Sequence, residues 1–560
     1  MPTLRSFHRS DVRLLDGRVR VRQELNRRYL LALEPDRLLH NFRVNAGLPS
    51  SAEPLGGWEA PSCGLRGHFV GHYLSACAAG DDALRERANA IVRELAVCQD
   101  ALGRDGFLSA FPESELDTIE TKFEGAWAPY YTLHKLLAGL LDVFRHCGNR
   151  QALEMTTRLA GYLRMRIERI EPERLELMLH TGKPNPSNEF GGMSEVLHEL
   201  FAVTQDDSYL KLAHVFDRAW FLDPLSRGED QLTGLHANTH IPLALGAARR
   251  YELTGETRYR DAAIFFWERT ALARSYVNGG SSGPHPAGIE KSVGAEHWPE
   301  PFKLARTLTP KINESCVTHN MMRLTDTLFR WTGERRYADF YERAYFNHVL
   351  CMQHPADAGR YLYDHPLSGG SRKTFGHATD TFWCCYGTTV EAYARLAHGI
   401  FYRDDEDTLY VNLPVPAELT WKEKRLRVEQ RTSFPDEAVT RLVFRCAEPV
   451  KLKVNVRGTV HDRTWRDGDV LELALPTSLT VETMPDDPDL IAFRYGPLVL
   501  AAQTDEELVV APDSLPVSSD GANFTIRLSS GSQVPLVPLN QIVDEPFGVY
   551  FRVNRAAAPG

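Results

Sequence analysis

The chain has 560 residues, a net charge of −10, 43% apolar residues and 25% charged residues. This is an ordinary balance for a folded protein but too long for one compact core, so a large domain with a smaller companion is expected. The acidic balance argues against a nucleic-acid partner, and no run approaches the ~18 apolar residues of a membrane span.

The opening "MPTLRSFHRSDVRLLDGRV" lacks the apolar stretch of a signal peptide. Nine cysteines, an odd number, are scattered along the chain. That pattern suits reduced thiols better than a disulfide scaffold and predicts a cytoplasmic location.

Apolar residues recur at helical spacing through the first 404 residues. "LRGHFVGHYLSACA" sets His68 and His72 four apart on one helix face. No Glu follows the first His, so a zinc-protease motif fails and a hydrogen-bonded core histidine is the plainer reading. "YYTLHKLLAGLLDVFRHCG" (130–148) is amphipathic and contains His134. "NEFGGMSEVLHEL" supplies Glu189 and a Gly pair, and "GLHANTHIP" supplies His236 and His240. Trp58, Trp127, Tyr130 and Trp383 accompany these phrases. Rings of this kind stack on sugar C–H faces or simply pack in a core.

A weak repeat marks helical hairpins: "TQDDSYLKLAHVF" from 204, "TGETRYRDAAIFF" from 254, "TGERRYADFYERA" from 332, and a degenerate "CGNRQALEMTTRL" from 147. Thr204 and Thr254 are 50 residues apart, but Thr332 follows after 78. A solenoid would fit the repeat too, but the longer step favours a toroid of hairpins with a functional insertion, "YVNGGSSGPHPAGIEKSVGAEHWPEPFKLARTLTPKINESC". Two of its carboxylates, Glu296 and Glu300, are candidates for a general acid, with a solvated loop residue as the plain alternative.

The insertion ends on Glu314 and Cys316, and "FWCCYGT" brings Cys384 and Cys385. Three thiolates and a carboxylate would make a tetrahedral zinc site. Small core residues or a vicinal disulfide are the alternatives. After residue 405 short alternating runs such as "TRLVFRC" and "VKLKVNV" predict an antiparallel sandwich or open barrel. The expected division is 1–404 and 405–560. No phosphate loop, "GxSxG" elbow or dinucleotide fingerprint occurs.

Taken together, "GGWEAPSCGLRGHFVGHYLSA", "WAPYYTLHKLLAGLLD", "NEFGGMSEVL", "GLHANTHIPLALGAARRYELTG", "AEHW", "ESCVTHNMMRL" and "FWCCYGTTVEAYARL" resemble the zinc- and cysteine-dependent β-L-arabinofuranosidases of glycoside hydrolase family 127 and its sister family 146. The phrases run in family order from about residue 50 to about residue 415. The resemblance implies an (α/α)6 helical barrel followed by an antiparallel β-sandwich. It implies Zn2+ held by Glu314, Cys316, Cys384 and Cys385, with Cys384 as nucleophile and Glu296 as acid/base. His236 in "GLHAN" and Tyr363 in "YLYDHPL" look like sugar-pocket residues; His134 is a looser match to that role, and His68 and His72 match the sister-family phrase. The implied activity is retaining, exo-acting release of β-L-arabinofuranose from a plant-derived oligosaccharide or glycoside. Other expectations are a hydrolase of another rare furanoside or pectin-derived sugar, or a non-catalytic carbohydrate-binding toroid with structural zinc. An epimerase or lyase on such a barrel would leave the thiols without a role. Two departures stand out: "EHW" replaces the usual "EHF", and the chain after residue 420 is short and hard to match.

Overall fold

The computed structural model describes residues 3–103, 105–288, 296–475 and 477–555. Among them, six inner helices close a ring: His68–Ala78, Pro129–Cys147, Gly192–Thr204, Ala237–Thr254, Ser315–Thr332 and Cys384–Ala394. Each of the first five leads into outer helices, and Arg18–Ala32 backs the sixth. This is an (α/α)6 barrel, followed by strand-rich sheets.

The repeat read in the sequence is the turn from inner to outer helix. Thr204, Thr254 and Thr332 each end an inner helix, and each hydroxyl accepts the amide two residues on, at 3.1–3.3 Å. The residue between is left-handed: Gln205, Gly255 or Gly333. Tyr209, Tyr259 and Tyr337 then sink into the core as the outer helix begins. Close contact between the first two inner helices depends on glycine. A methyl on Gly71 would lie 2.2 Å from the Lys135 backbone, and one on Gly139 would lie 2.3 Å from the Gly71 carbonyl.

After the barrel, strands run from Phe401 onward. Two five-stranded sheets form, and each takes an edge strand from the N-terminus: Leu4–Ser6 pairs with Phe401–Asp404, and Val12–Leu14 pairs with Ala417–Trp421. Both pairings are antiparallel, and Thr408–Val411 beside Val450–Val456 is a parallel exception. Phe444 and Trp465 stack in their core at 3.9 Å.

A further eight-stranded sheet is built from residues 479–553. The sequence reading gave it no separate place. Its apolar face packs Met484, Leu490, Val499 and Tyr550 against Tyr276, Val277, Leu304 and Ile312 of the insertion. Two polar clamps reinforce this contact. The Val277 amide donates to the Tyr550 hydroxyl at 3.0 Å, and Asp486 Oδ1 accepts the amides of Leu304 and Ala305, both at 3.0 Å. The sheet therefore braces the loop that carries Glu296. Residues 289–295 of that insertion lie outside the described residues.

Replacing Asp486 with Ala strips two partly buried amides of their acceptor and should cost about 1–3 kcal/mol. A thermal melt should show a clear drop in midpoint. An unchanged midpoint would mean that the clamp contributes nothing.

Candidate active site and metal centre

The N-terminal ends of the inner helices gather at one mouth of the barrel. Ala128, Asn313 and Phe382, lying just before three of them, have φ of 46°, 60° and 45°. These left-handed residues are costly without glycine, about 1 kcal/mol or more each. The strain turns the chain sharply into each helix and aims the first residues into the barrel.

Glu314 caps the fifth inner helix, with Cys316 in its first turn, and Cys384 and Cys385 open the sixth. All four are buried, and one ligand atom from each lies within 4.8 Å of the rest. Cys316 Sγ is 3.5 Å from Cys385 Sγ, and the Cys384 and Cys385 sulfurs are 3.9 Å apart. Glu314 Oε1 is 3.5 Å from Cys384 Sγ and 3.7 Å from Cys385 Sγ. A tetrahedral ion with bonds of about 2.3 Å to sulfur and 2.0–2.2 Å to oxygen would set these pairs about 3.6–3.8 Å apart. Glu314 Oε2 is buried and has no hydrogen-bond partner among the described residues. The cluster thus fits a metal ion of zinc's size and softness. The vicinal pair is unbonded at its 3.9 Å separation.

The protonation pattern points the same way. Contacts with Cys316 and Cys385, together with burial, hold the Cys384 thiol well above its ordinary value. Burial works to raise Cys316, but contacts from Cys384, Cys385 and the Thr388 hydroxyl outweigh it and bring that thiol down. Burial pushes the Glu314 carboxyl well up, and Cys316 adds to this. Protein groups alone therefore favour a thiolate at Cys316 over one at Cys384. A bound cation would favour the thiolate at all three cysteines.

Glu296 sits in a short extended run threaded between two neighbours. Its carbonyl accepts the Ala237 amide at 2.5 Å, and His297 exchanges two 2.9 Å bonds with Gly283. Its side chain is buried, with Oε2 2.6 Å from His236 Nε2 and Oε1 accepting the Tyr363 hydroxyl. Glu300 is different: half-exposed and paired with Arg306. Burial alone would lower the His236 pKa, but the Glu296 carboxylate overrides it and raises it. Burial lifts the nearby Glu189 to about 7, and likewise Asp364.

Tyr363 joins the two halves. Its ring packs on the cysteine cluster beside Trp58 and Trp383, and its carbonyl accepts the Ser315 amide at 3.0 Å. Trp58 also meets Trp127 edge-on at 4.7 Å. Trp127 is 39% exposed, so this aromatic wall reaches solvent.

The predicted histidines divide. His72 supports the site from below: Nδ1 lies 2.6 Å from Glu391 and Nε2 3.3 Å from the Tyr131 hydroxyl. Burial holds it down to about 4, so it is neutral over most of the pH range. His68 is clamped by the Leu65 carbonyl at 2.9 Å and by Glu59 at 2.8 Å. His134 is buried against Gly192, where a methyl would strike its ring at 2.2 Å. His240 bonds the His236 carbonyl and Thr181, as a satisfied core histidine does.

Tyr130 turns away from the mouth and donates to Glu120, so the ring suited to the site is its neighbour Tyr131, which packs on the cysteines. Successive helical residues differ by about 100°, and the sequence alone did not fix the phase. Thr388 and Glu391 were also missed, although they fall one and two turns after Cys384 on the same face. Gly387 lets this helix meet His72, since a methyl there would lie 2.1 Å from the ring.

An inner ring of helices with a buried thiol–carboxyl cluster and a second buried carboxyl at its mouth is an arrangement suited to a helical-barrel hydrolase. The catalytic-domain model of the glycoside hydrolase family 127 β-L-arabinofuranosidases matches residues 11–398, and the chain belongs to that family. The fold is similar to that of the family 127 β-arabinofuranosidase BT3674 (TM-score 0.77, 17% identity, covering 100% of this chain and 99% of the other). It is also similar to a family 127 β-L-arabinofuranosidase from Geobacillus stearothermophilus (TM-score 0.73, 16% identity, covering 97% and 100%). No match is found among curated proteins.

The raised His236 has a sign that can be checked. Its pairing with Glu296 stabilises the fold fully below the unfolded histidine value and is lost as pH rises through the raised folded value. In Glu296→Gln the strongest influence opposing burial is lost, with only Glu189 and Cys316 left to raise it, and the His236 pKa should fall. Selective 15N-histidine NMR titration reads this directly, and an unmoved His236 would refute the pairing.

Proposed function

We propose that this glycoside hydrolase releases terminal β-L-arabinofuranose from plant-derived oligosaccharides or glycosides, with retained configuration. Cys384 is the nucleophile and Glu296 the acid/base. The observation behind this is Tyr363, whose ring lies on the cysteine cluster while its hydroxyl holds Glu296. One side chain thereby ties a candidate nucleophile to a candidate proton donor. The similar solved structures are named as a β-arabinofuranosidase and a β-L-arabinofuranosidase, which supports the choice of sugar.

Glu314, Cys316, Cys384 and Cys385 would hold Zn2+. Bound there, the ion would favour the Cys384 thiolate and stabilise that sulfur when it departs. Cys384 Sγ attacks the anomeric carbon. The Glu296–His236 pair holds the proton that goes to the glycosidic oxygen as the C–O bond breaks and a C–S bond forms. Tyr363 and His236, bonded to the two carboxyl oxygens, keep Glu296 in line. In the second half Glu296 draws a proton from water, whose oxygen displaces the sulfur. Two inversions at one carbon give retention. Trp58, Trp127 and Trp383 offer ring faces to the sugar and its leaving group. Glu189 and His134 are further candidates to bond sugar hydroxyls.

The test is hydrolysis of p-nitrophenyl β-L-arabinofuranoside under reducing, zinc-replete conditions. Wild type should release p-nitrophenol, and Cys384→Ser should lose roughly 10³-fold or more. Glu296→Gln should slow substrates with poor leaving groups most. Near-wild-type turnover by Cys384→Ser would refute the nucleophile, and a larger leaving-group effect in Glu300→Gln would move the acid/base.

A further inference from the structure

Away from the mouth, a second group of potential ligands lies between the third inner helix and the outer helix that follows it. His198 belongs to the inner helix, His214 to the outer helix, and Asp217 caps the latter's end. One ligand atom from each lies within 4.8 Å of the others. The two rings are 5.5 Å apart, centre to centre.

The hydrogen bonding leaves both rings unfinished. His198 is fully buried, and its Nδ1 lies 2.9 Å from the Ser194 carbonyl, which can only accept. The proton is therefore on Nδ1, and Nε2 carries a free lone pair. Among the described residues that buried Nε2 has no partner, and neither has Nε2 of His214. Two buried ring nitrogens without partners are expensive in a packed wall. Asp217 is held in place by Ser194 Oγ at 2.5 Å and by Arg250 at 2.9 Å. A backbone carbonyl behind a histidine and a hydroxyl behind a carboxylate are the supports that metal ligands ordinarily have. Burial lowers both histidines, His198 to about 4, so both are neutral and able to coordinate at neutral pH.

We propose that His198, His214 and Asp217 form a second metal site, in the barrel wall, for a borderline divalent ion such as Zn2+, Co2+ or Ni2+. Two imidazoles and one carboxylate suit these ions. Small side-chain rotations would draw the ligands to the roughly 3.4 Å separation of a tetrahedral set, with water completing the sphere. Arg250 shares the Asp217 charge, so the site binds more weakly than the thiolate cluster and fills second. The ion would pin an inner helix to its outer partner, so its role is to stabilise. His198 lies six residues beyond Gly192, about 9 Å along the helix, and takes no part in the chemistry at the mouth.

Cobalt titration of the full chain under reducing conditions separates the two sites. Thiolate coordination produces an intense near-ultraviolet charge-transfer band, whereas histidine–carboxylate coordination adds only weak visible bands. Wild type should take up two equivalents by metal analysis, one with each signature. His198→Gln and His214→Gln should each lose the second equivalent and keep the charge-transfer band. Because His214 is only half-buried, its variant tests the site even if His198→Gln fails to fold. The second equivalent should also raise the melting temperature of wild type and not that of His214→Gln. If both proteins bind the same number of ions, or if wild type never shows the weak-band species, the proposal is overturned and water satisfies the two rings.

Discussion

Glu314, Cys316, Cys384 and Cys385 share a buried space in which their charges cannot all be supported by protein groups. Three sulfurs and a carboxylate that close repel one another once ionised, and burial strengthens the repulsion. The surroundings offer limited relief: two helix N-termini, whose dipoles favour negative charge, and the Thr388 hydroxyl 3.0 Å from Cys316. This is enough to bring one thiol down but not the one at the mouth. A divalent cation would resolve the conflict, and the separations of the four potential ligand atoms fit such an ion.

The rest of the fold holds that arrangement in place. The left-handed residues Asn313 and Phe382 pay locally for the angle at which the two helices enter. Gly387 allows the sixth helix to settle against His72, and His72 is fixed in turn by Glu391. On the other side Glu296 is set by a backbone ladder to Ala237 and Gly283, and the insertion around it is clamped by the eight-stranded sheet through Asp486 and Tyr550. Sheet residues far along the chain thus fix the position of a loop carboxyl at the barrel mouth, with Tyr363 closing the link to the cysteines.

How much of this could be read from sequence follows from the range of each interaction. The inner helices were visible because each repeats a local pattern, and the Thr-turn-Tyr phrase marks a capping motif that needs no distant partner. Cys384, Cys385, Cys316 and Glu314 stood out because adjacent thiols are rare and their chemistry is narrow. The family phrase pointed to Glu296, but periodicity could not separate it from Glu300; the physical difference, burial between His236 and Tyr363, appears only in the tertiary structure. The phase of Tyr130 and Tyr131 depended on helix packing. The bracing sheet was hidden because its strands are short and its partner is an irregular loop with no period to recognise. His198 and His214 gave no signal, lying on different helices 16 residues apart.

The most direct test of the metal cluster is zinc X-ray absorption on the full chain loaded with one equivalent under reducing conditions. Three sulfur neighbours at about 2.3 Å and one oxygen at about 2.0–2.2 Å are predicted, with one sulfur lost in Cys384→Ser. A shell of nitrogen and oxygen alone, or a sulfur count unchanged by that substitution, would contradict the account.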